Sequence, residues 1–160
     1  MRVRPFKRED VHDVYALFYR TVHTINKQDY NQTQLEAWAP NDADLQKWEH
    51  RLANSFSFVA MNEEKMVGFA SMTEDGYIDL FYVHADHQQE GIGHALFQTL
   101  KEVAFEQGLT RFVTEASITA KPFFQHQGFR VVKRQRKHMR GVVFINYVMA
   151  CELRKAPLYE

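Results

Sequence analysis

Gln88-Gln-Glu-Gly91-Ile-Gly93 is the segment whose residue types and spacing point most directly to chemistry. It follows a strand pattern, Tyr77 to Val83, and leads into a helical pattern that opens at Gly91. Backbone N–H groups at the start of a helix have no intrahelical partner and sit at the positive end of its dipole, so such a loop binds anions. Glycines let a phosphate approach the main chain closely. The same residues also fit a plain strand-to-helix turn. A Walker loop is excluded because no Gly-Lys-Ser/Thr follows, and a dinucleotide fingerprint lacks its third glycine, Leu96 standing there. His84 and His87 lie beside the loop, but no Cys or paired His completes a tetrahedral set, so no metal is expected.

The elements that must hold this loop can be read along the chain. Val3 to Phe6 predicts a short strand. Asp10 suits an N-cap, and Val11, Val14, Tyr15, Leu17, Phe18 and Val22 recur at helical spacing. Asn31 to Trp38 predicts a second helix, stopped at Ala39-Pro40. A third, capped by Asp42 or Asp44, carries Leu45, Trp48 and Leu52 on one face. Phe56–Met61 and Met66–Met72 read as strands around a polar turn, with Tyr77–Val83 as the next strand. The long helix from Gly91 ends at Gly108. Arg111–Glu115 predicts a strand, Thr119–Gln127 a short helix, and Arg130–Lys137 with Val142–Leu153 a closing hairpin. Strands and helices mixed in this order imply a mixed sheet covered by helices.

Composition narrows the function classes. The chain has 160 residues, enough for one domain, and 45% are hydrophobic. Twenty basic residues balance twenty acidic ones, so no overall field draws the protein to nucleic acid or an anionic membrane. A single cysteine, Cys151, precludes an internal disulfide and suits a reducing compartment. No apolar run is long enough for a bilayer, and the opening MRVRPFKRED is too charged for a signal peptide. A cytoplasmic monomer or homodimer is expected. The basic run Lys133 to Arg140 reads as a solvated hairpin, with a docking site for an acidic substrate or nucleic acid as the alternative.

Four segments in register resemble the GNAT superfamily of acetyl-CoA-dependent N-acetyltransferases. Gln88-Gln-Glu-Gly91-Ile-Gly93 is similar to its pyrophosphate signature, Gln/Arg-x-x-Gly-x-Gly/Ala, and follows a strand ending Leu-Phe-Tyr-Val. Ala120-Lys-Pro-Phe-Phe124-Gln-His-Gln-Gly128-Phe129 resembles its Ala-x-x-Phe-Tyr-x-x-x-Gly-Phe. The opening Val3 to Asp10 and the closing strand Asn146 to Leu153 look alike too. The resemblance implies an α/β fold with a mixed, mostly antiparallel sheet flanked by helices and splayed between strands 4 and 5, as one N-acetyltransferase domain over residues 1–160. It implies acetyl-CoA as cosubstrate. The main chain of Phe81, Tyr82 and Val83 would pair with pantetheine like an added strand. Gln88, Gln89, Glu90, Gly91, Ile92, Gly93 and His94 would hold the pyrophosphate, Ser117 would contact the pantetheine, and Phe124 would stand near the thioester. Three residues depart from the pattern. Gln89 and Glu90 stand where many relatives have Gly and a basic residue, and Phe124 replaces a tyrosine thought to protonate the thiolate.

The implied reaction is direct attack of an amine on the thioester. An aliphatic amine has a pKa near 10.4, so only roughly 0.1% is neutral at pH 7.4, and a base should help. By the period of two, Tyr77, Asp79, Phe81 and Val83 share a face of their strand, with Ile78 and Leu80 on the other. The family often draws its base from that face, which makes Asp79 the leading candidate. Glu115 follows as a second base or a structural hydrogen-bond partner, and Tyr77 as a proton donor, a stacking ring or a plain cross-strand aromatic. His23, Tyr30 and Trp38, in the helical region before the sheet, are candidates for acceptor contacts or for packing. The acceptor is expected to be a small-molecule amine; a protein terminus and a non-catalytic acyl-CoA sensor remain alternatives.

Overall fold

Seven strands pair into one sheet in the order β1-β2-β3-β4-β5-β7-β6. They are β1 (Arg2–Pro5), β2 (Phe56–Asn62), β3 (Lys65–Met72), β4 (Tyr77–Val83), β5 (Arg111–Ser117), β6 (Arg130–Met139) and β7 (Val142–Glu152). The structure, a computed structural model, describes residues 1–153; residues 154–160 of the expected domain lie outside the described part. Every pairing is antiparallel except β4 with β5. The fold class expected from the sequence is the one observed.

Five helices cover the two faces: α1 (Val11–Thr24), α2 (Gln32–Trp38), α3 (Leu45–Ala53), α4 (Ile92–Glu106) and α5 (Lys121–His126). Two apolar layers divide along the strand pleat. Val14, Leu17, Phe18 and Val22 of α1, with Leu35 of α2 and Leu52 of α3, pack on Val59, Phe69, Leu80 and Phe144. Ile92, Leu96, Phe97 and Leu100 of α4, with Phe124 of α5, pack on Ala60, Val67, Ile78, Phe112 and Met149.

Local signals explain most helix starts. Asn31 accepts from Gln34 N while Gln34 returns the bond to Asn31 N, a reciprocal cap that fixes α2. Asp44, rather than Asp42, caps α3 by accepting from Gln46 N and Lys47 N. Asp10 does not cap α1. Its carboxylate accepts from Lys7 N and from the Arg4 guanidinium, and a 3-10 turn over Arg8–Asp10 leads into the helix. Among the described residues, no helix is long and apolar enough to cross a membrane, and no cluster of three His, Cys, Asp or Glu could hold a metal.

The sheet parts where β4 leaves β5. Their ladder has two rungs, Tyr77 opposite Val113 and Ile78 opposite Thr114. Thr114 Oγ1 donates to Ile78 O at 2.9 Å at that last rung. From Asp79 and Glu115 onward the strands are unpaired with each other, and the gap between them positions the candidate site.

β4 also corrects the face expected from simple alternation. On its other side, Ser71 faces Leu80 while the next residue, Met72, faces Ile78, so Asp79 is the extra residue of a bulge. The bulge resets the pleat. Ile78 packs on the α4 side together with Phe81 and Val83, while Leu80 and Tyr82 pack on the α1 side. Tyr77, Asp79, Phe81 and Val83 therefore do not form one continuous face, nor do Ile78 and Leu80.

Candidate active site

Two clefts meet at the gap. The larger, about 1020 Å³, runs from the start of α4 past α5 to β4 and β5. The smaller, about 520 Å³, lies among α1, α3, β4, β6 and β7. Trp38, Asp79, Tyr82, Glu115 and Ser117 line both.

The start of α4 combines a left-handed glycine with open backbone donors. Gly91 precedes the helix at φ +83, a left-handed conformation that costs glycine nothing. Gly93 is needed for a different reason: a Cβ there would lie 2.8 Å from Cε1 of Phe123. The Phe123 ring is 5.2 Å from that of Phe81, so the closeness of α5 to the helix start depends on Gly93. Among the described residues, the N–H groups of Ile92, Gly93 and His94 donate to no protein group, as expected for a first helical turn.

The side chains of the loop brace it rather than fill it. Gln88 Nε2 donates to Val83 O at 2.8 Å and to His84 O at 3.2 Å. Glu90 does not line the cleft. Its Oε1 lies 3.1 Å from His87 Nδ1, and Lys65 Nζ lies 3.2 Å from His87 Nε2. Glu90 thus sits beside His87 outside the cleft. The other residues expected at the cofactor line the larger cleft: Phe81, Tyr82, Val83, Gln88, Gln89, Gly91, Ile92, Gly93, His94, Ser117 and Phe124. Val83 O is partly committed, because Thr21 Oγ1 also donates to it at 3.0 Å. Phe124 is 3% exposed and packs its ring against Phe81, Phe123 and Phe129. Ser117 Oγ accepts from Ala120 N at 3.0 Å, which ties the end of β5 to the start of α5.

Both candidate carboxylates stand at the junction, and each is paired. Asp79 receives two bonds from Arg51 of α3, Nε at 2.6 Å and Nη2 at 2.8 Å. Glu115 accepts from Gln135 Nε2 at 2.9 Å through Oε1, and from Lys137 Nζ at 2.5 Å and Tyr77 Oη at 3.1 Å through Oε2. Burial pushes the Glu115 carboxyl up, but the bonds from Lys137 and Gln135 outweigh it and hold it below its ordinary value. Burial, then the adjacent Glu115, push the Tyr77 phenol up, so it stays protonated and donates. A carboxylate has about four lone-pair sites. Glu115 uses three and Asp79 two, so Asp79 has more capacity left to accept a proton.

The smaller cleft is walled by rings, among them Tyr15, Phe18, Trp38, Trp48 and Phe144. Trp38 reaches it directly. Tyr30 lines it but is tied down, with Oη donating to Ile145 O at 2.7 Å and accepting from Ile118 N at 2.9 Å; burial pushes its phenol up to about 12. His23 lines neither cleft. Its Nε2 lies 2.8 Å from Ala39 O and its ring lies 4.2 Å from that of Tyr19 at a tilt of 34°, which is a packing role.

Sequence reasoning missed Arg51, Gln135, Lys137, Arg140 and Asn146, all at the junction or in the smaller cleft. The basic run gave the only available signal. Gln135, Lys137 and Met139 alternate along β6, and Lys137, Met139 and Arg140 line the smaller cleft, so the run is not wholly a solvated hairpin. Nothing local in the sequence marks Arg51 or Asn146.

Comparison with known proteins agrees with this architecture. Residues 26–151 match the family model described as an acetyltransferase (GNAT) domain. The chain is 37% identical over 149 residues to the uncharacterized N-acetyltransferase YafP of Escherichia coli K12, covering 93% of this chain and 94% of that one. It is similar to a GCN5-related N-acetyltransferase from Rhodopseudomonas palustris, with a TM-score of 0.92, 30% identity and 95% of each chain covered. The fold is also that of the PaiA N-acetyltransferase of Thermoplasma acidophilum solved with coenzyme A, with a TM-score of 0.78, 13% identity, and 94% and 98% of the two chains covered. With its signature loop, its parted sheet and these matches, the chain belongs to the GNAT acetyltransferase family.

Proposed function

We propose that this protein transfers the acetyl group of acetyl-CoA to the amine of a small molecule by direct attack on the thioester. The observation that carries the reading is the junction of the two clefts at the β4–β5 gap. A thioester entering from the α4 side and an amine entering from the α1 side would meet beside Asp79, Glu115 and Ser117. Family membership supports acetyl-CoA as donor, as do relatives solved with coenzyme A or acetyl-CoA. The smaller cleft, about 520 Å³, has the size of a ligand pocket rather than a groove for an extended chain, which favours a small acceptor.

The pyrophosphate would lie on the free N–H groups of Ile92, Gly93 and His94, and the pantetheine arm along the unpaired edge of β4. Asp79, which lines both clefts, would take the amine's proton directly or through water. Glu115, Tyr77 and Lys137 would fix the charge around it. Phe124 offers no proton to the departing sulfur. A thiol of pKa about 8.5 leaves acceptably as the anion, and its negative charge is compatible with the cations nearby.

The test is thermal unfolding with and without coenzyme A, followed by thiol release from acetyl-CoA with a panel of amines. A raised Tm and amine-dependent thiol release support transfer. A raised Tm without release from any amine would instead indicate an acyl-CoA sensor, and no Tm shift at millimolar coenzyme A would defeat both readings.

A further inference from the structure

The smaller cleft contains an imbalance that the reaction itself does not use. Its lining has three permanent cations, Arg51, Lys137 and Arg140, and two carboxylates, Asp79 and Glu115. Arg51 is closed on Asp79 and Lys137 on Glu115. Arg140 has no carboxylate partner among the described residues. It donates through Nη1 to Ala37 O, next to Trp38, which leaves its remaining N–H groups free. That contact anchors a long side chain that would otherwise be disordered in water.

The backbone beneath Arg140 is itself unusual. Arg140 has φ +49 and Gly141 φ +75, the two-residue turn that joins β6 to β7. Asn or Gly would sit there with less strain. An arginine at such a position gains nothing for the turn, so its side chain is the reason to look for a role.

A second, independent feature lies deeper. Asn146 Oδ1 is buried and has no hydrogen-bond partner. Asn146 stands opposite Ser117 on β5 and opposite Gln135 on β6, so it shares their face, beside the residues that hold Glu115 and at the edge of the junction. A buried acceptor without a donor is costly, and a ligand N–H would satisfy it. The cleft thus presents an open cation near its mouth, apolar rings along its walls and an unmet acceptor at its inner end.

Resting on the transfer reading above, we propose that the acceptor is an amine that also carries a carboxylate or comparable anion on an apolar body, its anion held by Arg140 and one of its N–H groups by Asn146. An unpaired Arg140 selects for such a molecule twice. It attracts the anion, and it disfavours an ammonium in the cleft, which helps the amine stay neutral for attack. A plain diamine or polyamine would bring only positive charge into a cleft that already has an excess of it.

The experiment compares matched acceptors with the intact protein and acetyl-CoA, following thiol release. The set is the free acids and methyl esters of aromatic and aliphatic amino acids and of aminobenzoates. The expected result is a kcat/KM for acids above that for their esters by about tenfold or more, the scale of one charge-assisted hydrogen bond. Arg140→Met should shrink that preference toward one, chiefly by raising KM for acids, and Arg140→Lys should restore part of it. Asn146→Leu should lower kcat/KM for acids and esters alike. Esters used as well as acids, or Arg140→Met weakening both equally, would overturn the proposal while leaving the transfer reading intact. Absence of thiol release from every acceptor, with coenzyme A still raising Tm, would overturn the transfer reading and this proposal together.

Discussion

Replacing Asp79 by Asn tests the proton transfer most directly. The change keeps the volume and removes the charge. If Asp79 accepts the amine's proton, the loss in kcat should be about a hundredfold or more, the usual scale for a positioned general base. The structure adds a cost that must be separated from this. Arg51 donates to both Asp79 oxygens, and an Asn can answer only one of those donors while turning its own NH₂ toward the other. Losing a bond to a charged group costs about 1.5–3 kcal/mol, and the 45% exposure of the Arg51 side chain places this site at or below the low end. The variant should therefore remain folded at 25 °C, with a Tm lowered by several degrees. Arg51→Met is the control: it breaks the same ion pair but leaves the carboxylate. An alkylamine acceptor, almost wholly protonated at pH 7, should show the full loss, whereas a weakly basic arylamine, already neutral, should show much less. Wild-type kcat with an alkylamine in Asp79→Asn would refute the assignment, and equal losses in Asp79→Asn and Arg51→Met would mean that the ion pair merely shapes the cleft.

Gly93→Glu should abolish the Tm shift from coenzyme A, because the new side chain meets Phe123 and puts a negative charge among the free N–H groups; a retained shift would place the pyrophosphate elsewhere. Phe124→Tyr should leave coenzyme A binding intact if the ring edge faces the cleft, and thiol release with an alkylamine should stay level or rise. Denaturant unfolding checks it: a stability loss of about 3 kcal/mol or more would mean that the new hydroxyl is buried without a partner. Asp10 is held below its ordinary value chiefly by the Arg4 bond, against burial. A depressed folded-state pKa gives stability that is present above the unfolded value of about 3.9 and lost as pH falls through the folded value. Asp10→Asn should thus be less stable than wild type at pH 7 by roughly 1–3 kcal/mol, with the gap closing below about pH 4 in urea titrations.

What could be read from the sequence was local. The run Gln88 to Gly93 announces its geometry because glycine tolerates what other residues do not, and Asn31 with Gln34 announces a helix start by spacing alone. The pairing of His87 with Glu90 was also within reach, being three residues apart, and it removes the difficulty of a carboxylate in an anion-binding loop. The two faces of β4 were not legible. Alternation assumes a regular ladder, and the bulge at Asp79 is set by how β4 registers against β3, a long-range pairing. The same holds for the ion pairs. Arg51 meets Asp79 and Lys137 meets Glu115 only because α3 and β6 are brought to the gap by the fold. Asp10 failed as a cap because Arg4 and Lys7 compete for its carboxylate.

The two rungs between β4 and β5 also make a mechanical seam. On one side stand β1 to β4, joined by long antiparallel ladders; on the other stand β5, β7 and β6, joined as firmly. Across the seam, the main chain contributes little, and cohesion falls to side chains: Tyr77 Oη on Glu115, Thr114 Oγ1 on Ile78 O, and the Phe97 ring of α4 beside Phe112 of β5. Such a sheet opens in two cooperative pieces rather than one, with amides at the seam exchanging before those within either half. A molecule lying along the free edge of β4 would act as a splint between the pieces, so hydrogen exchange slowed by coenzyme A on both sides of the gap would report the protein's rigidity as a property borrowed from its cosubstrate.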